Sequence, residues 1–161
     1  MANIKLAYAS STAIPITLAS LASSATAGRE GTASDNGTNL YIDALVQVKV
    51  KLQTGTPVND KAVYIYVYGS EDGTTYTDNA SGTDAAITLR DPPVMALLGA
   101  ISCPDSGALT YESQPMSVAQ AFGGILPRKW GIVVRNYTGV AFSATEGDHS
   151  AKYTGVYFTS N

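Results

Sequence analysis

The run LYIDALVQVKVKLQ, from Leu40 to Gln53, constrains the fold more than any other part of the chain. Leu40, Ile42, Ala44, Val46, Val48, Val50 and Leu52 share one face, and Tyr41, Asp43, Leu45, Gln47, Lys49, Lys51 and Gln53 share the other. A period of two held over the whole run specifies a strand with one buried face. At roughly 3.3 Å per residue it would reach about 45 Å, so a bend or bulge is expected within it. The next run, KAVYIYVYG, places Val63, Ile65 and Val67 on one face and Tyr64, Tyr66 and Tyr68 on the other. TGTPVND, Thr54 to Asp60, is a loop by its Gly, Pro and Asn-Asp content. Two strands joined this closely are expected to form an antiparallel pair.

Further strands are expected at Ala85–Arg90, Val94–Ser102, Leu109–Val118, Lys129–Asn136, Val140–Thr145 and Lys152–Ser160. DPP, CPDSG, FGGILP, NYTG and EGDHS separate them with turn chemistry. Val118–Phe122 is the best helical segment, and it is very short. Ser20–Asn39 is small and polar and reads as a loop or arm. Short strands at regular spacing predict an all-β fold, a jelly-roll-like antiparallel β-sandwich with an extended N-terminal arm. The expected division is an N-terminal strand and arm over 1–39 and a sandwich over 40–161, with no internal repeat.

Composition narrows the function classes. The 161 residues suit one domain, and 45% are apolar, enough for a core. Charged residues make up only 14%, which argues against a coiled coil or helical bundle. A formal net charge of −3 leaves no overall attraction for nucleic acid. The single cysteine, Cys103, has no partner for an internal disulfide and reads as a small buried hydrophobe in VMALLGAISC. The opening MANIKLAYASSTAIPITLASLASSATAG imitates a signal peptide, with Ala25-Thr26-Ala27 as a cleavage site. Ser10, Ser11, Thr12 and Pro15 interrupt its apolar stretch, so it reads as part of the working protein. No stretch is long and apolar enough for a bilayer-spanning helix, and no membrane partner is expected.

Candidate chemistry is sparse. GSEDGTTYTD, Gly69–Asp78, is acidic, but Glu71 and Asp72 are adjacent and lack the alternating ligand positions of an EF-hand. Asp72-Gly73 favours a turn, so the stretch is expected to be a strand–turn–strand hairpin with solvated acidic tips. His149, the sole histidine, has no nucleophile motif beside it and is expected to be an exposed turn residue. One His and one Cys cannot make a zinc site, no acidic pair stands in a glycosidase motif, and neither GSEDG nor FGGIL has the context of a phosphate loop. No cofactor or metal is expected. The tyrosine stripe Tyr64, Tyr66 and Tyr68 reads first as packing and second as an interface. Ile14, Ile16 and Leu18 alternate around Pro15, which lacks an N–H, so they suit an edge strand or a crossing to another subunit. Lys49, Lys51, Arg128, Lys129 and Arg135 read as a solvated face, with a small basic patch as the other reading.

Two resemblances add to this. YVYGSEDGTTYTD and LPRKWGIVVRNYTG resemble blocks of discoidin-like jelly rolls. That likeness covers about a quarter of the chain and implies a sandwich alone. The whole chain, rich in Ala, Ser, Thr, Gly and Tyr, resembles small all-β structural proteins of tailed bacteriophage virions, particularly in MANIKLAYASSTAIPITLASLASSATAGRE followed by one β domain. This likeness implies a non-enzymatic virion protein, a capsid decoration or cement protein. It would be homo-oligomeric and would contact the major capsid protein or other virion proteins. Ile14, Ile16, Leu18, Tyr64, Tyr66 and Tyr68 are its candidate interface. A carbohydrate-binding or tail adhesion module is the alternative, and a hydrolase is disfavoured by the missing motif.

Overall fold

The computed structural model describes residues 3–160. In chain order the strands are β1 (Ile4–Tyr8), β2 (Thr12–Ala13), β3 (Ala27–Glu30), β4 (Ser34–Asp35), β5 (Asp43–Lys51), β6 (Ala62–Ser70), β7 (Ala85–Thr88), β8 (Ala96–Ser102), β9 (Thr110–Glu112), β10 (Met116–Ser117), β11 (Lys129–Tyr137) and β12 (Ser150–Ser160). Short helical turns α1 (Asn36–Asn39) and α2 (Val118–Ala121) lie between them. The fold is an all-β, jelly-roll-like sandwich of two antiparallel sheets. One sheet runs β1-β12-β5-β10, with β2 also on β12 and β9 also on β5. The other runs β7-β3-β11-β6-β8, with β4 also on β11.

The register read from the sequence holds in β5. Ala44, Val46, Val48, Val50 and Leu52 are buried, and the residues between them face outward. The strand begins at Asp43, because α1 ends with Leu40 in a left-handed conformation at φ 55°. This shortens the strand, and it needs no bulge: its pairing with β12 runs unbroken from Asp43↔Val156 to Ser150↔Lys49. The irregularity falls instead between Ile65 and Tyr66 of β6, in its pairing with β8.

The expected β5–β6 hairpin does not form. The two strands belong to opposite sheets, and their apolar faces meet across the core. Val46, Val48 and Val50 pack in one cluster with Val63, Ile65 and Val67. Side-by-side pairing would have placed both apolar faces on one side of a single sheet. Stacking buries each against the other across roughly 10 Å, which the loop between them spans. Trp130 closes the core, its ring edge-on to Tyr153 at 5.1 Å.

The boundary expected at residue 39 does not separate an arm from a sandwich. The Ile14 N–H donates to the Ala151 carbonyl at 2.9 Å, Ile14 and Leu18 lie in the main core, and the Pro15 carbonyl accepts from the Thr32 N–H at 2.8 Å. β3 lies between β7 and β11, inside the sheet rather than in a loop. Its sequence AGRE shows no apolar alternation. Gly28 fits there because a Cβ would stand 2.9 Å from the Val134 carbonyl oxygen. Other differences are local. The strand expected over 109–118 splits into β9 and β10, where the Ser113 hydroxyl accepts from the Val48 N–H at 3.0 Å. Val140–Thr145 forms no strand beyond the single bridge Leu52↔Phe142. Residues 71–84 form no return strand for β6.

Candidate interaction surface

The acidic stretch after β6 is a turn held by its own side chains. The Asp72 carboxylate accepts from the Thr74 and Thr75 N–H groups, each at 2.7 Å, and from the Thr75 hydroxyl at 2.9 Å. The Ser70 hydroxyl accepts from the Gly73 N–H at 2.9 Å, and Gly73 takes φ +82°. The Thr75 and Thr74 amides hold the Asp72 carboxyl well below the usual carboxylate range. Its lone pairs are directed at its own turn. Among the described residues no group of three or more His, Cys, Asp or Glu is placed to hold a metal ion.

The tyrosine stripe points away from the main core, yet most of it is covered. Tyr66 and Tyr68 are buried in a second apolar cluster with Ile87, Leu89, Met95 and Val133, beneath the chain that follows β6. The Tyr68 hydroxyl donates to the Gly31 carbonyl, and its ring meets Tyr76 edge-on at 5.6 Å. Only Tyr64 stays half-exposed, donating to Asp60 at 2.7 Å. The Arg135 guanidinium lies 4.6 Å from the Tyr64 ring centroid and 5.3 Å from that of Tyr66, and bonds the Ala25 carbonyl at 2.8 Å. Of the six candidate interface residues, Ile14, Leu18, Tyr66 and Tyr68 therefore lie inside this one chain, and Ile16 and Tyr64 are partly covered. Ile14 and Leu18 fill the main core between the sheets, and Tyr66 and Tyr68 lie under an added layer outside one sheet.

The basic residues do not converge. Lys49 and Lys51 lie on β5 in one sheet, and Lys129 and Arg135 on β11 in the other. Lys51 pairs with Asp148 at 3.1 Å and Lys129 with Asp35 at 3.8 Å. His149 is buried rather than exposed. Its Nδ1 accepts from the Lys51 N–H at 3.3 Å, its Nε2 lies 3.0 Å from the Ser143 carbonyl, and its ring stacks on Phe142 at 5.5 Å. These contacts fit an imidazole carrying its proton on Nε2. Cys103 is buried, and burial pushes its thiol up to about 11.

Three acids outside that turn fasten loops. Glu30 is 1% exposed and accepts from the Ser81 and Thr83 N–H groups and the Ser81 hydroxyl. Glu146 accepts from the Leu18 and Ala19 N–H groups at 3.0 and 2.7 Å. Asp43 accepts from the Ser117 hydroxyl and the Ala119 N–H.

Exposed apolar surface gathers on β1 and the end of β12. β12 pairs with β5 only as far as Val156, and its last residues pair with β1 alone. The two strands thus extend as a two-stranded ribbon. Leu6 stands opposite Phe158, and Ile4, Leu6, Tyr8 and Phe158 share one face, 74, 51, 59 and 61% exposed. Tyr41 leans on the other face, 6.1 Å from Tyr157. The signal was present in IKLAY and GVYFTS, each apolar at every second residue, but nothing in the sequence marks the two segments as neighbours. Comparison with protein-family models, with curated proteins and with solved structures finds no match to the chain.

Proposed function

We propose that this chain is a non-enzymatic structural protein of a bacteriophage particle, a decoration or cement protein that adheres to the capsid lattice. The observation that carries the reading is the β1–β12 ribbon, whose apolar face has no cover within the described chain. A monomer rarely leaves a contiguous apolar patch bare unless something docks there. The rest of the molecule suits a scaffold: its acids fasten loops, its histidine is packed, and its tyrosines fill a second core. Many copies on a lattice convert a modest contact per copy into firm attachment. The placement in a virion, with the major capsid protein or another virion protein as partner, rests on the compositional resemblance.

The carbohydrate-binding alternative asks for rings presented to solvent beside polar loops, and Tyr66 and Tyr68 do not offer that. A mass-spectrometric inventory of purified particles from the host of this gene tests the proposal. The chain is expected at a fixed ratio to the major capsid protein. Its absence from particles, with specific binding on a glycan array, would replace the proposal with the alternative.

A further inference from the structure

We infer that β1 is a self-association edge, and that two copies of this chain join through antiparallel β1–β1′ pairing about a two-fold axis at Leu6. The inference rests on the ribbon being adhesive, as the proposed function holds, but not on any particle.

The backbone sets the first condition. Among the described residues, β1 is the outermost strand of its sheet. The Ala9 N–H donates to the Gly155 carbonyl at 2.8 Å, which fixes the phase of the β1–β12 ladder. Hydrogen-bonded pairs alternate along an antiparallel ladder, so Ala7 and Lys5 also bond inward. The N–H and C=O groups of Ile4, Leu6 and Tyr8 then point to the open edge. These three residues also carry the bare apolar side chains.

A partner strand centred on Leu6 satisfies all of them. Leu6 pairs with Leu6 of the second copy, Ile4 with Tyr8, and Tyr8 with Ile4, and each pair exchanges two N–H···O=C bonds. A two-fold axis normal to the sheet keeps the apolar faces of both copies on the same side. The two sheets become one, running β5-β12-β1-β1-β12-β5. Ile4, Leu6, Tyr8 and Phe158 of both copies then form one surface around the axis. Lys5 is the only charged residue of β1 and faces the other way, so no like charges meet directly across the new pair.

Self-complementarity of the edge supports a second copy as the occupant: the open N–H and C=O groups of Ile4, Leu6 and Tyr8 match their own two-fold image, and Leu6 packs beside Leu6 and Ile4 beside Tyr8 across the axis. Phe158, one strand further out, stays on the open face of the joined sheet. A two-stranded ribbon is marginal by itself, and the joined sheet removes that weakness.

Sedimentation velocity of the full chain over a range of micromolar concentrations, with Leu6→Lys beside it, reads the association. The wild type is expected to be dimeric and Leu6→Lys monomeric with an unchanged melting temperature, since Leu6 is half-exposed. Leu6→Cys adds a geometric test. A hydrogen-bonded pair sets the Cα atoms about 5.5 Å apart, within disulfide range. Lys5→Cys stands diagonally across the axis with Cβ atoms roughly 7–8 Å apart, beyond it. Oxidation should cross-link Leu6→Cys rapidly and Lys5→Cys poorly. A wild type that stays monomeric, a Leu6→Lys variant that dimerises equally, or equal cross-linking at the two positions would each overturn the inference. A dimer that is absent from particles would instead remove the proposed function and leave the edge intact.

Discussion

Replacing Glu30 by Ala should be among the most damaging single changes outside the main core. The side chain sits on β3, on the face that carries Val133 and Tyr68, under the segment 71–84. Its two oxygens accept from the Ser81 and Thr83 amides and from the Ser81 hydroxyl. A buried charge can often be exchanged for a hydrocarbon at little cost when its partners leave with it. Here two donors belong to the backbone and remain. A hydrogen bond to a charged group contributes about 1.5–3 kcal/mol, but Ser81 and Thr83 can regain water if their loop lifts. That puts the loss at about 3 kcal/mol, or roughly 6–12 °C in melting temperature for a domain of this size. Glu30→Gln keeps one acceptor oxygen and should lose about half as much. Thermal melts measure the cost, and limited proteolysis reads whether residues 71–84 detach. If Glu30→Ala melts within about 1 °C of wild type with the segment still protected, the carboxylate does not fasten this layer.

The core register predicts that Val48→Asp fails to fold, because it buries a charge without a partner, while Lys49→Asp is tolerated; equal outcomes in soluble yield and far-UV circular dichroism would show the strand face to be misassigned. Asp148 is held below the usual carboxylate range by the Ser143 hydroxyl and then by Lys51. Its stabilisation is therefore complete above about pH 4 and is lost as pH falls through the depressed native value, so Asp148→Asn should flatten the stability profile below about pH 4 and leave other slopes alone. Cys103, buried with its thiol pushed up to about 11, should react with an aromatic disulfide only as fast as the chain opens; immediate labelling of the native protein would contradict its burial. Calcium should not raise the melting temperature, since the Asp72 oxygens are directed at Thr74 and Thr75; a rise of several degrees would show that the turn is a site after all.

The sequence made the faces of β5 and β6 legible because local alternation and burial coincide there. It misplaced the two strands relative to each other, because alternation says which side is apolar and not which sheet will supply the cover. β3 went unseen because its demand is for a small residue at Gly28 and an acceptor at Glu30, and neither produces an apolar period. The six candidate interface residues were chosen for excess apolarity. The main core takes Ile14 and Leu18, and a layer over residues 71–95, whose position no local pattern announces, covers Tyr66 and Tyr68. His149 looked exposed because EGDHS is turn chemistry, yet its ring packs on Phe142, across a contact the turn itself creates. The ribbon was hidden for a different reason: its two halves lie at opposite ends of the sequence, and only the fold brings Leu6 to Phe158.

The strand order also dictates when this protein can fold. β11 joins β3, β4 and β6, and β12 joins β1, β2 and β5, so each sheet is keyed by a strand translated late. A nascent chain that has reached Pro127 can pair β6 with β8 and β5 with β9 and β10, but the other edge of each strand still waits for β11 or β12. β1 must wait for residues 156–160 before it has any partner. At about 5–20 residues per second, that interval lasts several seconds or more, and the pairings that end it are almost all long-range, the kind that form slowly. A ribosome making this protein therefore carries two open partial sheets until β11 and β12 emerge, and those two strands then join the parts.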